Sequence, residues 1–165
     1  MITLEINDAE IEAALNRLAR AVTDMTPVMQ DIGEDLVVST RERFIAGVSP
    51  VGAAWAPKSQ TTIDAYTRGG DPVDLRPLFG PTKRLSSEIT WQATGDSVEW
   101  GSNLIQAAVM HFGAAQGTLG RTSRGGPMPW GTIPARPYIG LSDDDRTAVI
   151  AEIEDWLSAR SNAAD

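Results

Sequence analysis

The chain has 165 residues, a formal net charge of −8, 42% apolar and 22% charged residues, and no cysteine. That size and apolar share fit one soluble domain with a core of its own. The lack of cysteine excludes disulfide frameworks, thiolate metal sites and a cysteine nucleophile, and the acidic balance argues against a protein that grips nucleic-acid phosphates.

Met1 to Leu15 contains no basic stretch leading into an apolar core, so no secretory signal is expected. No apolar run approaches the roughly 20 residues that a membrane-spanning helix needs. The expectation is a single domain over 1–160, made and kept in a cytosol-like compartment. Ile2 to Ile6 alternates apolar and polar residues like a short half-buried strand. Asp8 then offers an N-cap, and Ile11, Ala14, Leu15, Leu18 and Val22 fall at helical spacing, predicting a helix over about 8–23. Thr26-Pro27 restarts the pattern, proline being well tolerated at a first helical position. Val28, Ile32, Leu36, Val37 and Phe44 carry a second helix to Ala46, and Gly47 ends it.

Gly47 to Pro57 is too rich in Gly and Pro for regular structure. A helical turn is expected over Thr61–Tyr66 and a loop over Gly69–Pro81. Leu85–Trp91 and Ser97–Gly101 read as two strands joined through Ala93–Asp96. Leu104–Phe112 reads as a short helix closed by Gly113. Residues 113–140 hold seven glycines and four prolines, and their only charged side chains are Arg121, Arg124 and Arg136. A structureless segment of that length is functional or disordered. Ser142 caps a last helix with Asp143, Asp144 and Asp145 in its first turn, where the helix dipole favours negative charge. Its apolar stripe is Val149, Ile150, Ile153, Trp156 and Leu157, and 161–165 is expected to fray.

No constellation of catalytic residues emerges. His111, the sole histidine, stands in the apolar run Ala108–Gly113 with no neighbouring acid and no second histidine for a metal site. The three aspartates are consecutive and point in different directions, without calcium-loop spacing. Gly113–Gly120 follows a helix and lacks the lysine of a phosphate loop. No cofactor or metal is expected. Of the five tryptophans, Trp91, Trp100 and Trp156 lie in regular elements and read as core. Trp55 and Trp130 lie in Gly/Pro-rich loops, where an interface anchor and an intramolecular plug are both open readings.

In order, Arg41-Glu-Arg-Phe44, Gly47-x-x-Pro50-x-Gly52-x-x-Trp55-x-Pro57, Leu85-Ser-Ser, Val98-Glu-Trp-Gly101, Ala107-x-x-x-His111-x-Gly113 and Ile133-Pro-Ala-Arg-Pro-Tyr-Ile-Gly-Leu-Ser142 resemble the phage virion morphogenesis, or tail-completion, family of Mu-like tailed phages and prophages. The likeness spans about 30–157. It departs at Leu78–Leu85, where the family has a Thr/Ser-Gly pair before the leucine. The resemblance implies an α+β fold, a small and mainly antiparallel sheet flanked by helices, here with long Gly/Pro-rich loops. It implies a structural virion protein without catalytic activity, assembled in the host cytoplasm and placed at the tail end or head–tail junction. Its expected partners are further copies of itself in a ring, commonly of six, and other neck and tail proteins. DNA would only pass through the lumen, and no membrane is involved.

On that view residues of about 113–133 form an arm that orders against a neighbour. Pro134 and Pro137 stiffen the corner behind it. The residues expected at subunit or partner interfaces are Trp55, His111, Arg121, Arg124, Trp130, Pro134, Arg136, Pro137 and Tyr138. Arg136 has two open readings, an ion pair with a neighbour and a bond within its own chain. Two other functions compete: a virion hydrolase using His111 with Asp96 or Glu99, and a nucleic-acid accessory factor using Arg121, Arg124 and Arg136. The first lacks a visible partner for His111, and the second has a thin basic footprint.

Overall fold

Gly33, in the middle of the second expected helix, shows how the fold is assembled. A Cβ there would stand 2.8 Å from the indole of Trp91, so only glycine lets the hairpin lie this close to the helix. The computed structural model describes residues 22–120 and 131–162, together with 13, 15, 16, 19, 122, 123, 125 and 126. The expected strand at Ile2–Ile6, most of the helix over 8–23, and residues 163–165 lie outside the described residues.

The long central helix α1 spans Thr26–Ala46, with proline in its first turn and Gly47 as a left-handed C-cap at φ 72°. Val28, Ile32, Leu36 and Val37, Thr40, Phe44 fall on its buried side, as the spacing predicts. Gly47–Pro57 is more ordered than its composition suggests. An isolated antiparallel bridge joins Val48 to Ala54, the Trp55 N–H donates to the Gly47 carbonyl at 2.8 Å, and Gly52 turns the chain at φ 78°. The next helix, α2 (Gln60–Gly69), is longer than the expected turn; Ser59 caps its start, and it buries no residue.

Leu85 does not begin a strand. Arg84–Ser87 is one helical turn, α3. Ser86 and Ser87 hydroxyls donate back to the Lys83 carbonyl, and Arg84 pairs with Glu88 one turn on. These local bonds win over the alternating pattern. The strands are β1 (Thr90–Ala93) and β2 (Val98–Gly101), antiparallel, with Trp91 opposite Trp100 and Ala93 opposite Val98. Thr94–Ser97 closes the hairpin. A short helix α4 (Ala107–Phe112) and a helix α5 (Asp143–Asn162) follow, giving an α+β fold whose sheet, among the described residues, is one hairpin.

α1 packs against both strands and α5. One core cluster surrounds Phe44, whose ring meets Trp55, Phe79 and Tyr138 at centroid distances of 5.6, 6.2 and 5.1 Å. The other joins Val28, Ile32 and Leu36 to Val149, Ile153 and Trp156 of α5. Ile150, expected in the α5 stripe, is exposed; one residue beyond Val149, it is rotated about 100° from the buried face. No helix among the described residues is long and apolar enough to cross a membrane.

Candidate functional site

The segment Ile133–Ser142 is threaded between α4 and the Trp55 loop, and its backbone is held along its length. The arm begins and ends at one place: Ala114 and Ile133 exchange backbone hydrogen bonds of 2.9 and 2.8 Å. Gly113 stands immediately before that bridge at φ 74° and ψ 176°. A Cβ there would lie 2.7 Å from the Ala135 nitrogen and the Ile133 oxygen. The helix end and the proline corner thus touch backbone to backbone, a contact open only to glycine.

At the corner, Pro134 and Pro137 are exposed while Arg136 and Tyr138 between and after them are buried. The Arg136 N–H donates to the Met110 carbonyl at 3.0 Å. Its guanidinium donates from Nε to the Ala56 carbonyl at 2.8 Å and from Nη2 to the Pro57 carbonyl at 2.9 Å. Within the subunit its guanidinium is thus bonded to its own chain. Burial lowers the Arg136 pKa, yet a guanidinium starts so high that it stays charged. Trp55 is buried within the subunit, 7% exposed, with its indole Nε1 donating to the Pro137 carbonyl at 2.9 Å. The Tyr138 hydroxyl donates to the Ala107 carbonyl at 3.2 Å.

His111 rests edge-on against Tyr138 and Phe112. Its Nδ1 accepts a long 3.4 Å bond from the Tyr138 N–H, and burial lowers its pKa. A neutral imidazole in contact with backbone and rings has no acid beside it, so neither Asp96 nor Glu99 forms a dyad with it among the described contacts. The corner therefore brings together Trp55, His111, Arg136, Pro137 and Tyr138, with Pro134 on its outer edge. Arg121, Arg124 and Trp130 lie outside the described residues.

Two residues escape the sequence reading. Asp145 is 8% exposed and forms an ion pair with Arg43, which is 6% exposed. Asp145 also accepts from the Ser39 hydroxyl and from the Ser142 N–H at 2.7 Å, while its own N–H donates to the Ser142 hydroxyl at 3.1 Å. That is a reciprocal capping box, and its Ser-x-x-Asp spacing was the available signal. Arg43 further donates to the Tyr138 and Gly140 carbonyls at 3.2 and 2.8 Å. One guanidinium thus ties α1, the end of the corner segment and the start of α5. Burial opposes ionisation of Asp145, but the bonds from Ser39 and Ser142 and the charge of Arg43 overcome it and lower its pKa. On Arg43 burial outweighs the attraction of Asp145, and its pKa falls.

The arrangement is a polar lock for backbone. A chain 31% identical over 159 residues is the Mu-like prophage FluMu G protein 2 of Haemophilus influenzae, the alignment covering 95% of this chain and 96% of that protein. No solved structure matches. The model of the phage virion morphogenesis family matches residues 6–158. With the family model and a relative both matching nearly the whole length, the chain belongs to the phage virion morphogenesis family.

Proposed function

We propose that the protein is a tail-completion or head–tail joining component that closes into a ring of identical subunits, six being the expected number. Its family places it in phage morphogenesis, which speaks for a structural role rather than a catalytic one. The observation that supports the finer reading is the arm. The segment starts and ends at a base pinned by the Ala114–Ile133 bridge, and Ala115 to Gly120 are all exposed. A rigid root with an exposed limb gains its order from contacts outside the subunit. Ring interfaces are heterologous, one surface of each copy meeting a different surface of the next. The partners are further copies and the adjoining neck and tail proteins. A net charge of −8 suits a duct that DNA crosses without sticking.

Light scattering on chromatographed protein tests the ring, and electron microscopy of particles made without the protein tests the placement. A discrete closed oligomer is expected, together with particles whose tails are unfinished or unjoined. A monomer throughout the micromolar range, with normal joined particles in its absence, would end this reading.

A further inference from the structure

The outer side of the α1–α5 contact is left open. Between the C-terminal half of α1, the Val48–Gly52 turn and the first turns of α5 lies a groove of about 500 Å³. Its apolar lining includes Val38, which is 51% exposed, Val48 and Val149. Its rim carries Asp35, Glu42, Asp144 and Glu152. Arg43 and Asp145 at its base neutralise each other, but none of the four rim carboxylates forms an ion pair among the described residues. Burial, then the charges of Asp35 and Asp31, push the Glu152 pKa up. The groove is apolar inside, acidic at its edge, and short of a cation.

The same chain carries a segment of opposite character. Residues 114–133 contain Arg121 and Arg124 and no acid, with Leu119, Met128 and Trp130 as apolar side chains. None of its described residues lines the groove of its own subunit. A loop of this length, each limb running at about 3.3 Å per residue, reaches about 30 Å from its base. A groove of this size falls within the range of about 300–1,000 Å³ that takes a compact ligand, so it accommodates a few arm side chains and not the whole arm.

We propose that the α1–α5 groove receives the arm of a second copy, with Arg121 and Arg124 meeting Asp35, Glu42 and Glu152. The inference rests on the self-assembling reading above and adds the two surfaces that meet. Such a contact is heterologous, since arm and groove are different surfaces of each copy. Opposite charges at its rim set the register and the rate of encounter.

The test starts from the oligomeric state of the unmodified protein. An Arg121→Lys/Arg124→Lys variant keeps both charges and offers amines to a zero-length carbodiimide. Coupling a mixture of unlabelled and ¹⁵N-labelled copies should give mixed-isotope peptides that join residue 121 or 124 to Asp35, Glu42 or Glu152. Separately, Arg121→Glu/Arg124→Glu should weaken self-association by about tenfold or more. Adding Asp35→Lys and Glu152→Lys to that variant should restore it, with circular dichroism showing that each variant folds. If the protein oligomerises but its cross-links fall elsewhere or within one copy, the groove contact is wrong and the ring reading survives. Loss on reversal without rescue by the swap also overturns the pairing. A wild-type protein that stays monomeric removes the ring reading and this contact with it.

Discussion

Asp145 illustrates how much a single side chain carries. It completes the capping box of α5 by accepting from the Ser142 N–H, accepts from Ser39 of α1 and neutralises Arg43, at about 7% side-chain exposure for both members of the pair. Removing one member of a buried pair strands the other, at a cost of about 3–5 kcal/mol. Asp145→Ala should therefore lose stability on that scale in urea unfolding. The pH dependence follows from its lowered pKa. The unfolded chain takes up this proton first as pH falls, so the contribution is complete above the ordinary value of 3.8 and lost as pH drops through the depressed one. Wild type should lose stability across that acid window more steeply than Asp145→Ala does. Arg136→Ala removes two charge-assisted bonds to the Ala56 and Pro57 carbonyls, each worth about 1.5–3 kcal/mol. A melting temperature lowered by several degrees is expected in the isolated subunit. An unchanged melt with lost assembly would instead assign Arg136 to a neighbour.

Among the elements, α4 and the proline corner form a unit hinged on Gly113. That residue occupies a backbone region at φ 74°, ψ 176° that side chains scarcely adopt, and its missing Cβ makes room for Ala135 and Ile133. Gly113→Ala should cost at least about 1–3 kcal/mol and loosen the Ala114–Ile133 bridge, read as faster amide exchange at those two residues. The arm beyond the bridge should behave oppositely to the root. Limited proteolysis of dilute subunit should cut within 115–132 and spare Ile133–Ser142, whose backbone is held by Trp55, Arg43 and α4. In the assembled particle the same cuts should slow. Equal cutting in both states would remove the case for an arm ordered by assembly.

For the whole molecule, charge separation is the organising feature. Phe112–Leu141 is basic and Ser142–Asp165 carries seven acids against two arginines, while the α1–α5 groove adds Asp35 and Glu42. An association steered by such charges is screened by salt, the Debye length falling from about 10 Å at 0.1 M to about 3 Å at 1 M. Self-association measured by analytical ultracentrifugation should weaken as salt rises between those limits. Strengthening with salt would point to an apolar interface, for which exposed Ile105 and Phe112 are among the available side chains. Glu152→Gln should stabilise the free subunit at neutral pH, because its raised pKa means that the ionised form is disfavoured by folding. That gain is present above the folded pKa and vanishes below the ordinary 4.5.

Long-period signals were legible in the sequence because they depend on neighbours one or two turns away. The apolar spacing of α1 and its glycine stop, the tryptophan-bearing hairpin, the capped acidic start of α5 and the ordered string of family motifs could all be read before any coordinate. Leu85–Ser87 was misread because a four-residue pattern fits strand and helical turn equally, and backward serine bonds decided for the turn. The Gly/Pro-rich loop at 47–57 looked irregular because composition does not reveal its pairings, the Val48–Ala54 bridge inside it and the Trp55 bond to Pro137 outside it. For the same reason Arg136 and Asp145 could not be placed from the sequence. Whether a charged side chain turns to solvent or to a buried partner depends on what folding brings beside it, and the partners of these two lie about 80 and 100 residues away. The sequence by itself determined the two long helices α1 and α5, the hairpin, the family and the separation of charge along the chain. Only the tertiary structure decided which charges are consumed inside the subunit and which remain on its surface, because that choice is made by desolvation and geometry across elements.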